Sequence, residues 1–530
     1  NMIRLNILLK IIPCVVLSLP AFAVVSAQKA HIYTTTEDGT KLLSETVMNT
    51  TIGSPTTNYV RINAAKNYQM IDGFGFALTG GSCYNLMRMS AEERATLLTK
   101  IFSESRGYGA SYVRISIGCS DFSRSRYTLC DTKGIEHFAL QSEETDYVIP
   151  VLKEVMAINP KLKVIAAPWT APRWMKVSDK NGSVPYDNYV GGHLNKAYYA
   201  DYAEYFVRFV KAMRDNGITI NAVTSQNEPG NGANEGGAML MDADEEAAFV
   251  RVLASAFHNA GLNTNIYVFD HNFDNEQHAE QVISYLKSSS FLGDDLVSGA
   301  AFHNYGGDPA AMATFHNNTG KTAIYTETSI GTWNDGRNLN GKLCGEFNWS
   351  GLRALQNYCS GFIAWNLILD YSGRPTTLSN SSVYGNIEIN PSDYSLASVR
   401  YNRDYYIVCQ LSAVIRPGAV RCDYMDNGVP RDDWDLNYVA LKNLDGTIAF
   451  VISNKTSTSR HINLASDGEY VNVSIPAKSV VSVLLGDTEQ GSLAFDGVRM
   501  TPSDDWKSFS VNVYLERGKT YTATGDDAFL

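Results

Sequence analysis

The segments KVIAAPW (163–169), NKAYYADYAEYFVRFVKAMRDN (195–216) and NAVTSQNE (221–228) decide the fold. Two short apolar, β-branched runs flank a segment whose apolar residues recur at helical spacing, which predicts strand, helix, strand. The runs are nearly continuous in apolar character, as in a parallel sheet covered on both faces. Working outward, the same unit recurs. Before it stand QMIDGFGFA (69–77) and SYVRISIG (111–118); after it come NIYVFDHN (265–272), LVSGAAFHNY (296–305), TAIYTETSI (322–330) and GFIAWNLIL (361–369). Helix-compatible segments such as AEERATLLTKIFS (91–103) and DEEAAFVRVLASAFHNA (244–260) separate them. Eight strand–helix units within about 300 residues predict an α/β fold, a closed (β/α)8 TIM barrel rather than an open sheet. Each run ends in a polar or aromatic cluster, so the clusters gather on the C-terminal rim, where barrels place their chemistry.

The flanks read differently. From Tyr401 onward short alternating runs such as YVALKN, TIAFVISN, HINLAS and EYVNVSIPA are punctuated by Asp-Gly turns, predicting an all-β sandwich. Residues 28–66 are extended in character and are expected to add strands to it. The expected organisation is a leader over 1–27, this segment over 28–66, a catalytic barrel over 67–395 and a sandwich over 396–530 that includes a strand-rich tail from Gly486. In the leader, Asn1 before Met2 reads as a scar. Arg4 and Lys10 then precede an apolar stretch that closes on Val25-Ser26-Ala27, the pattern of a secretory signal cleaved before Gln28. Cys14 follows Pro13, a poor context for lipid attachment, so free export to the periplasm, cell surface or exterior is expected, with no membrane span.

Composition narrows the partners. The chain carries 44 Lys and Arg against 55 Asp and Glu, a net charge of −11, which disfavours nucleic acid and anionic membranes as primary partners. Aromatic residues make up 11%, with 30 Tyr, 21 Phe and 7 Trp, which suits either a sugar-binding cleft or a well-packed core. Seven cysteines follow the leader (Cys83, Cys119, Cys130, Cys344, Cys359, Cys409 and Cys422), and an odd, scattered set is not a disulfide framework. His-x-His, HExxH and Cys-x-x-Cys spacings, a Walker A sequence and a Gly-x-Ser-x-Gly elbow are all missing from the sequence, so no metal or other cofactor is expected.

Two carboxylates stand out. Glu228 follows Asn227 and precedes Pro229 at the end of the fourth run, where the strand must stop; Glu327 ends the seventh run as the lone acid between Lys321 and Asn334. Taken singly, Glu228 also fits a solvated loop and Glu327 a plain ion pair with Arg114. Together they sit on opposing strands of one rim, as the two carboxyl groups of a retaining glycosidase must. The expected division is an ionised Glu327 beside Arg114 and a Glu228 kept protonated by a dry, like-charged setting. Other rim residues suit a sugar: Asp121 as acceptor for two hydroxyls, Asn227 as a hydroxyl partner, His303 and Tyr305 after the sixth run, and Trp169, Trp174 and Trp365 as aromatic walls.

IDGFGFALTGG, VRISIGCSDFS, APWTAPRWMK, VTSQNEPGN, FHNY, IYTETSIG and AWNLILD occur in order, and through them the chain resembles glycoside hydrolase family 30, the group of glucocerebrosidase, bacterial β-1,6-glucanases and β-xylosidases. The resemblance implies a barrel with a sandwich built from both chain ends. It also implies Glu228 as acid/base, Glu327 as nucleophile, Asp121, Trp169, Asn227 and Trp365 around the bound sugar, and Arg114, His303 and Tyr305 supporting the nucleophile. The chain departs from glucocerebrosidase at Ala364, where an acidic residue precedes the matching tryptophan, at Thr79-Gly80-Gly81, which replaces Thr-Asp-Ala, and in loops 179–197 and 331–350. The expectation is an exported retaining β-glycosidase acting on a β-linked glucan, glycoside or glycolipid. A β-xylosidase of the same family and a catalytically silent glycan-binding protein are the alternatives.

Overall fold

A computed structural model describes residues 28–487 and, beyond them, only short strands at 494–495, 498–499, 501–502, 509–510 and 523–524. The expected leader and most of the expected tail lie outside the described residues. Eight parallel strands close a barrel: β1 (Gly73–Ala77), β2 (Tyr112–Ser116), β3 (Lys163–Ala167), β4 (Ala222–Thr224), β5 (Asn265–Asn272), β6 (Val297–His303), β7 (Thr322–Glu327) and β8 (Cys359–Ala364). Seven lie within their apolar runs and β8 begins two residues before its run, at Cys359; β8 pairs with β1 to complete the ring. The α/β barrel expected from the sequence is the fold.

Pleat alternation explains what each strand residue does. Tyr112, Ile165, Ala222, Tyr267, Ala301, Ile324 and Ile363 form a buried layer of their own inside the barrel. Their neighbours Val113, Val164, Val223, Val268, Ala300, Tyr325 and Phe362 join the larger core beneath the helices. Helix Tyr199–Asp215 shows the same logic at helical period: Tyr202, Tyr205, Phe206, Phe209 and Met213 are buried on one face. Helix Ala243–Asn259 opens on a capping box in which the Asp242 backbone N–H donates to Glu245 at 2.9 Å.

The second unit is one ten-stranded sheet folded over on itself. Its strand order is 44–49, 29–36, 479–487, 448–454, 436–442, 420–427, 59–70, 460–466, 469–475, 51–52, so the segment before the barrel supplies strands from both ends of the order. Val60, Ile62, Tyr438, Ala440, Phe450, Ile452, Leu464, Val471 and Val483 fill the space between its two layers. The alternate residues Val439, Leu441, Ala449, Val451, Val480 and Leu484 face the barrel core instead. Burial on both faces is why strands 436–442 and 448–454 lack the polar alternation of a solvated sheet. Helix Arg403–Ser412 seals the junction, its Gln410 amide bonding the hydroxyls of Thr35 (2.8 Å) and Ser482 (2.6 Å). All seven cysteines of the described residues are free and buried. No helix among the described residues is long and apolar enough to cross a membrane.

The Leu441→Ala substitution, on the barrel-facing side, is expected to lower stability by about 2–5 kcal/mol, read as a fall in the urea midpoint. An unchanged midpoint would contradict packing on both faces of this strand.

Candidate active site

Arg114 is where the site begins. It lies two residues beyond Tyr112 on β2, on the same inward face, and is fully buried. Its Nη1 donates to Glu327 Oε2 at 2.5 Å, and its Nη2 donates to Asn227 Oδ1 at 2.7 Å and to Asp270 Oδ2 at 2.8 Å. The other Glu327 oxygen takes a 2.7 Å hydrogen bond from the Tyr305 hydroxyl. Glu228 follows the end of β4 with a positive φ of 46°, an uncommon conformation for a side-chain-bearing residue, and its N–H is held by the Asp270 carbonyl at 3.0 Å. Its Oε2 accepts from Asn231 at 2.8 Å, and its Oε1 lies 3.2 Å from His303 Nδ1. One oxygen of Glu228, one of Glu327 and a ring nitrogen of His303 all fall within 4.8 Å of one another. Such a trio meets the spacing of a metal site, yet each member is already engaged by Arg114, Tyr305, Asn231 or Asp270, which suits a proton-handling site better.

Asp270 is the buried acid of this cluster that sequence reading missed. Its oxygens accept from Arg114, from the hydroxyls of Thr224 (2.7 Å) and Thr326 (2.6 Å), and from His303 Nε2 (2.9 Å), all within the barrel. Alternation from the inward Tyr267 assigns position 270 to the outside. A bulge reverses this: Phe269 and Asp270 both have positive φ, 76° and 52°, and the register with β6 shifts between Phe269 and His271. The displaced Phe269 N–H donates to Glu246 at 2.6 Å, and Glu246 is itself held by Ser225 and His278. The only signal in the sequence was an acid inside an apolar run.

The electrostatics depart from expectation at Glu228. Burial favours its neutral form, but the hydrogen bond and charge of His303 outweigh burial and bring the carboxyl down to about 2. Burial likewise opposes a charged His303, yet Glu327 and Asp270 raise the imidazole to about 9. The resting proton therefore sits on His303, 3.2 Å from Glu228, and the two titrate as a pair. His303, expected beside the nucleophile, stands 3.9 Å from Glu327 and closer to the other carboxylate. Burial also opposes ionisation of Asp270, but Arg114 and His303 hold it well below the usual carboxylate range. Asp121 goes the other way: burial, then the charges of Glu327 and Glu228, push it up to about 8. At neutral pH it presents an acid proton as well as an acceptor, rather than the pure acceptor expected.

These groups open into a pocket of about 500 Å³ lined by Asp121, Glu228, His271, Tyr305, Glu327 and Trp365 among others. Trp365 stacks on Trp169 with ring centroids 5.2 Å apart, and the Arg114 guanidinium lies 5.0 Å from the Trp169 ring centroid. Asp121 Oδ1 and Trp169 Nε1 are buried without a hydrogen-bond partner among the described residues.

Residues 71–393 match the profile of the glycosyl hydrolase family 30 TIM-barrel domain, and 418–483 that of its β-sandwich domain. The chain belongs to glycosyl hydrolase family 30. It is 30% identical over 439 residues to an endo-1,6-β-D-glucanase of Trichoderma harzianum, covering 79% of this chain and 84% of that one. A lysosomal acid glucosylceramidase of Mus musculus is 26% identical over 409 residues, 74% of this chain and 76% of that one. A solved structure of an endo-β1,6-glucanase is 42% identical with a TM-score of 0.81, over 87% of this chain and 100% of that one.

Within this family 30 hydrolase two sequence readings change. Trp174 is not a wall of the site: its Nε1 donates to the Cys130 carbonyl at 2.9 Å and its ring meets Tyr198 edge-on. The Gly80 departure has a steric cause, because a Cβ there would lie 1.8 Å from Glu143 Oε1. Glu143, buried and bonded to the Arg124 N–H at 2.9 Å, occupies the space of a side chain at position 80.

Replacing Asp270 by Asn removes the charge that Arg114 and His303 share. The expected outcome is a fall in kcat of about a hundredfold or more with an unchanged circular dichroism spectrum; wild-type turnover would show that the network is dispensable.

Proposed function

We propose that this chain is a retaining β-glucanase that cleaves β-1,6-linked glucose by double displacement. The observation that carries this reading is the approach of Glu228 and Glu327 oxygens to within 4.8 Å, near the separation of retaining enzymes (about 5–5.5 Å) and well short of the roughly 6.5–9.5 Å that inversion needs to admit water. Glu327, oriented by Arg114 and Tyr305, attacks the anomeric carbon. Glu228 protonates the leaving oxygen, drawing on the proton of His303, and the pair recovers a proton when water releases the sugar. Asn227 accepts from Arg114 through its side-chain Oδ1, leaving its amide nitrogen for a sugar hydroxyl, while Asp121 and Trp169 offer their unpartnered atoms and Trp365 the wall. None of these steps calls for a cofactor. The β-1,6 linkage is supported by the two glucanase relatives at 30% and 42% identity, against 26% for the glucosylceramidase. The apolar leader supports export, with a mature chain beginning at Gln28.

Wild type is expected to release the β-anomer first, followed by proton NMR during hydrolysis of a β-glucan; initial α-anomer would mean inversion and remove Glu327 as nucleophile. Glu327→Gln and Glu228→Ala are each expected to lower kcat on a β-1,6-glucan by at least about a thousandfold. If both retain wild-type rates, the assignment of the pair fails. The alkaline limb of kcat/KM is expected at about pH 9, where the His303–Glu228 pair loses its proton, and to move to lower pH in His303→Gln. A limb unmoved by that substitution would place the working proton elsewhere.

A further inference from the structure

Beyond the catalytic pocket, one large aromatic side chain near its mouth is left exposed. Trp333, in the loop after β7, is 54% exposed. Its position is nevertheless fixed. Gly331 pairs with Val383 in a short antiparallel ladder, and Val383 and Ser329 both line the catalytic pocket. The loop is tied down on both sides: Thr332 N–H donates to the Ser382 carbonyl at 3.0 Å, Asn334 Oδ1 accepts from the Gly331 N–H at 3.0 Å, and Asn334 Nδ2 donates to the Ser329 carbonyl at 3.1 Å. The indole lies against Gly331 so closely that a Cβ at 331 would stand 1.9 Å from Trp333 Cζ3. A glycine seat on one side and solvent on the other make a fixed apolar surface at the rim. A fixed, exposed indole offers an apolar face beside the pocket, and the C–H faces of a pyranose fit such a surface.

We propose that Trp333 is the platform for a second glucose unit of a β-linked glucan, adjoining the unit held in the catalytic pocket. This inference rests on the glucanase reading and extends it, because a monosaccharide glycoside with a small leaving group does not reach the platform. Chain length, rather than the chemistry at the anomeric carbon, is what Trp333 reads.

The test compares wild type, Trp333→Ala, Trp333→Phe and Trp434→Ala on β-glucosyl fluoride, whose leaving group carries no ring, and on whichever β-glucan the wild type cleaves fastest. Trp434, 48% exposed on the sandwich, is the control for loss of an exposed indole away from the site. For Trp333→Ala the expected result is a loss of about tenfold or more in kcat/KM on the glucan, mostly in KM, with β-glucosyl fluoride within about twofold of wild type. Trp333→Phe should recover most of the loss and Trp434→Ala should show none. Equal loss on both substrates, or no loss on the glucan, overturns the platform. Failure of the β-1,6 reading would appear separately, as a wild type whose best substrate has another linkage.

Discussion

A guanidinium without exposed surface holds the mouth of the barrel together. Arg114 reaches Glu327, Asp270 and Asn227 at once, so β2 is bonded to the ends of β4, β5 and β7 through one side chain. A charge so deeply buried is tolerable only when matched by opposite charge and hydrogen bonds. Asp270 meets that need, and then holds His303 through its second oxygen. Arg114 and His303 are two cations among three carboxylates, Glu228, Asp270 and Glu327, which leaves the site with an excess of negative charge. That excess, added to burial, is felt at Asp121, whose carboxyl is pushed up to about 8.

The two carboxylates proposed for catalysis thus differ by their neighbours rather than by their own chemistry. Glu327 is gripped by a permanent cation and a phenol, while Glu228 faces an imidazole that gains and loses a proton. The same low-dielectric enclosure that makes these interactions strong makes any missing partner costly. The enclosure depends in turn on distant parts of the molecule: the bulge that aims Asp270 is held by Glu246 on a helix outside the barrel, and the sandwich covers the barrel core with alternate residues of its strands. Docking is therefore part of the barrel's own core rather than an appendage to it.

Much of this was legible in the chain. Near-continuous apolar runs separated by amphipathic segments are dictated by burial on both faces of a parallel sheet, and eight of them leave little choice but closure. Glu228 and Glu327 stood out because a proline follows one at the close of an apolar run and because an acid stands alone in another, although β4 itself already stops at Thr224. Asp270 was not, since a bulge of one residue inverts the face on which a strand residue lies, and nothing in the letters NIYVFDHN marks it. Trp174 was misplaced for the opposite reason: it shares a motif with Trp169, yet loop geometry turns it to the Cys130 carbonyl.

By itself the sequence determined the barrel and the sandwich and singled out the two carboxylates proposed for catalysis, because hydrophobic period, turn chemistry and the placing of an acid in an apolar run are local properties. Only the tertiary structure decided where the acid proton rests, which acid anchors Arg114 and which tryptophan faces solvent. Those answers are distances of a few ångströms between residues from different strands, such as the 3.2 Å from His303 to Glu228 across 75 positions of sequence. Coulomb interaction and hydrogen bonding in a dry cavity depend on such separations and not on sequence spacing.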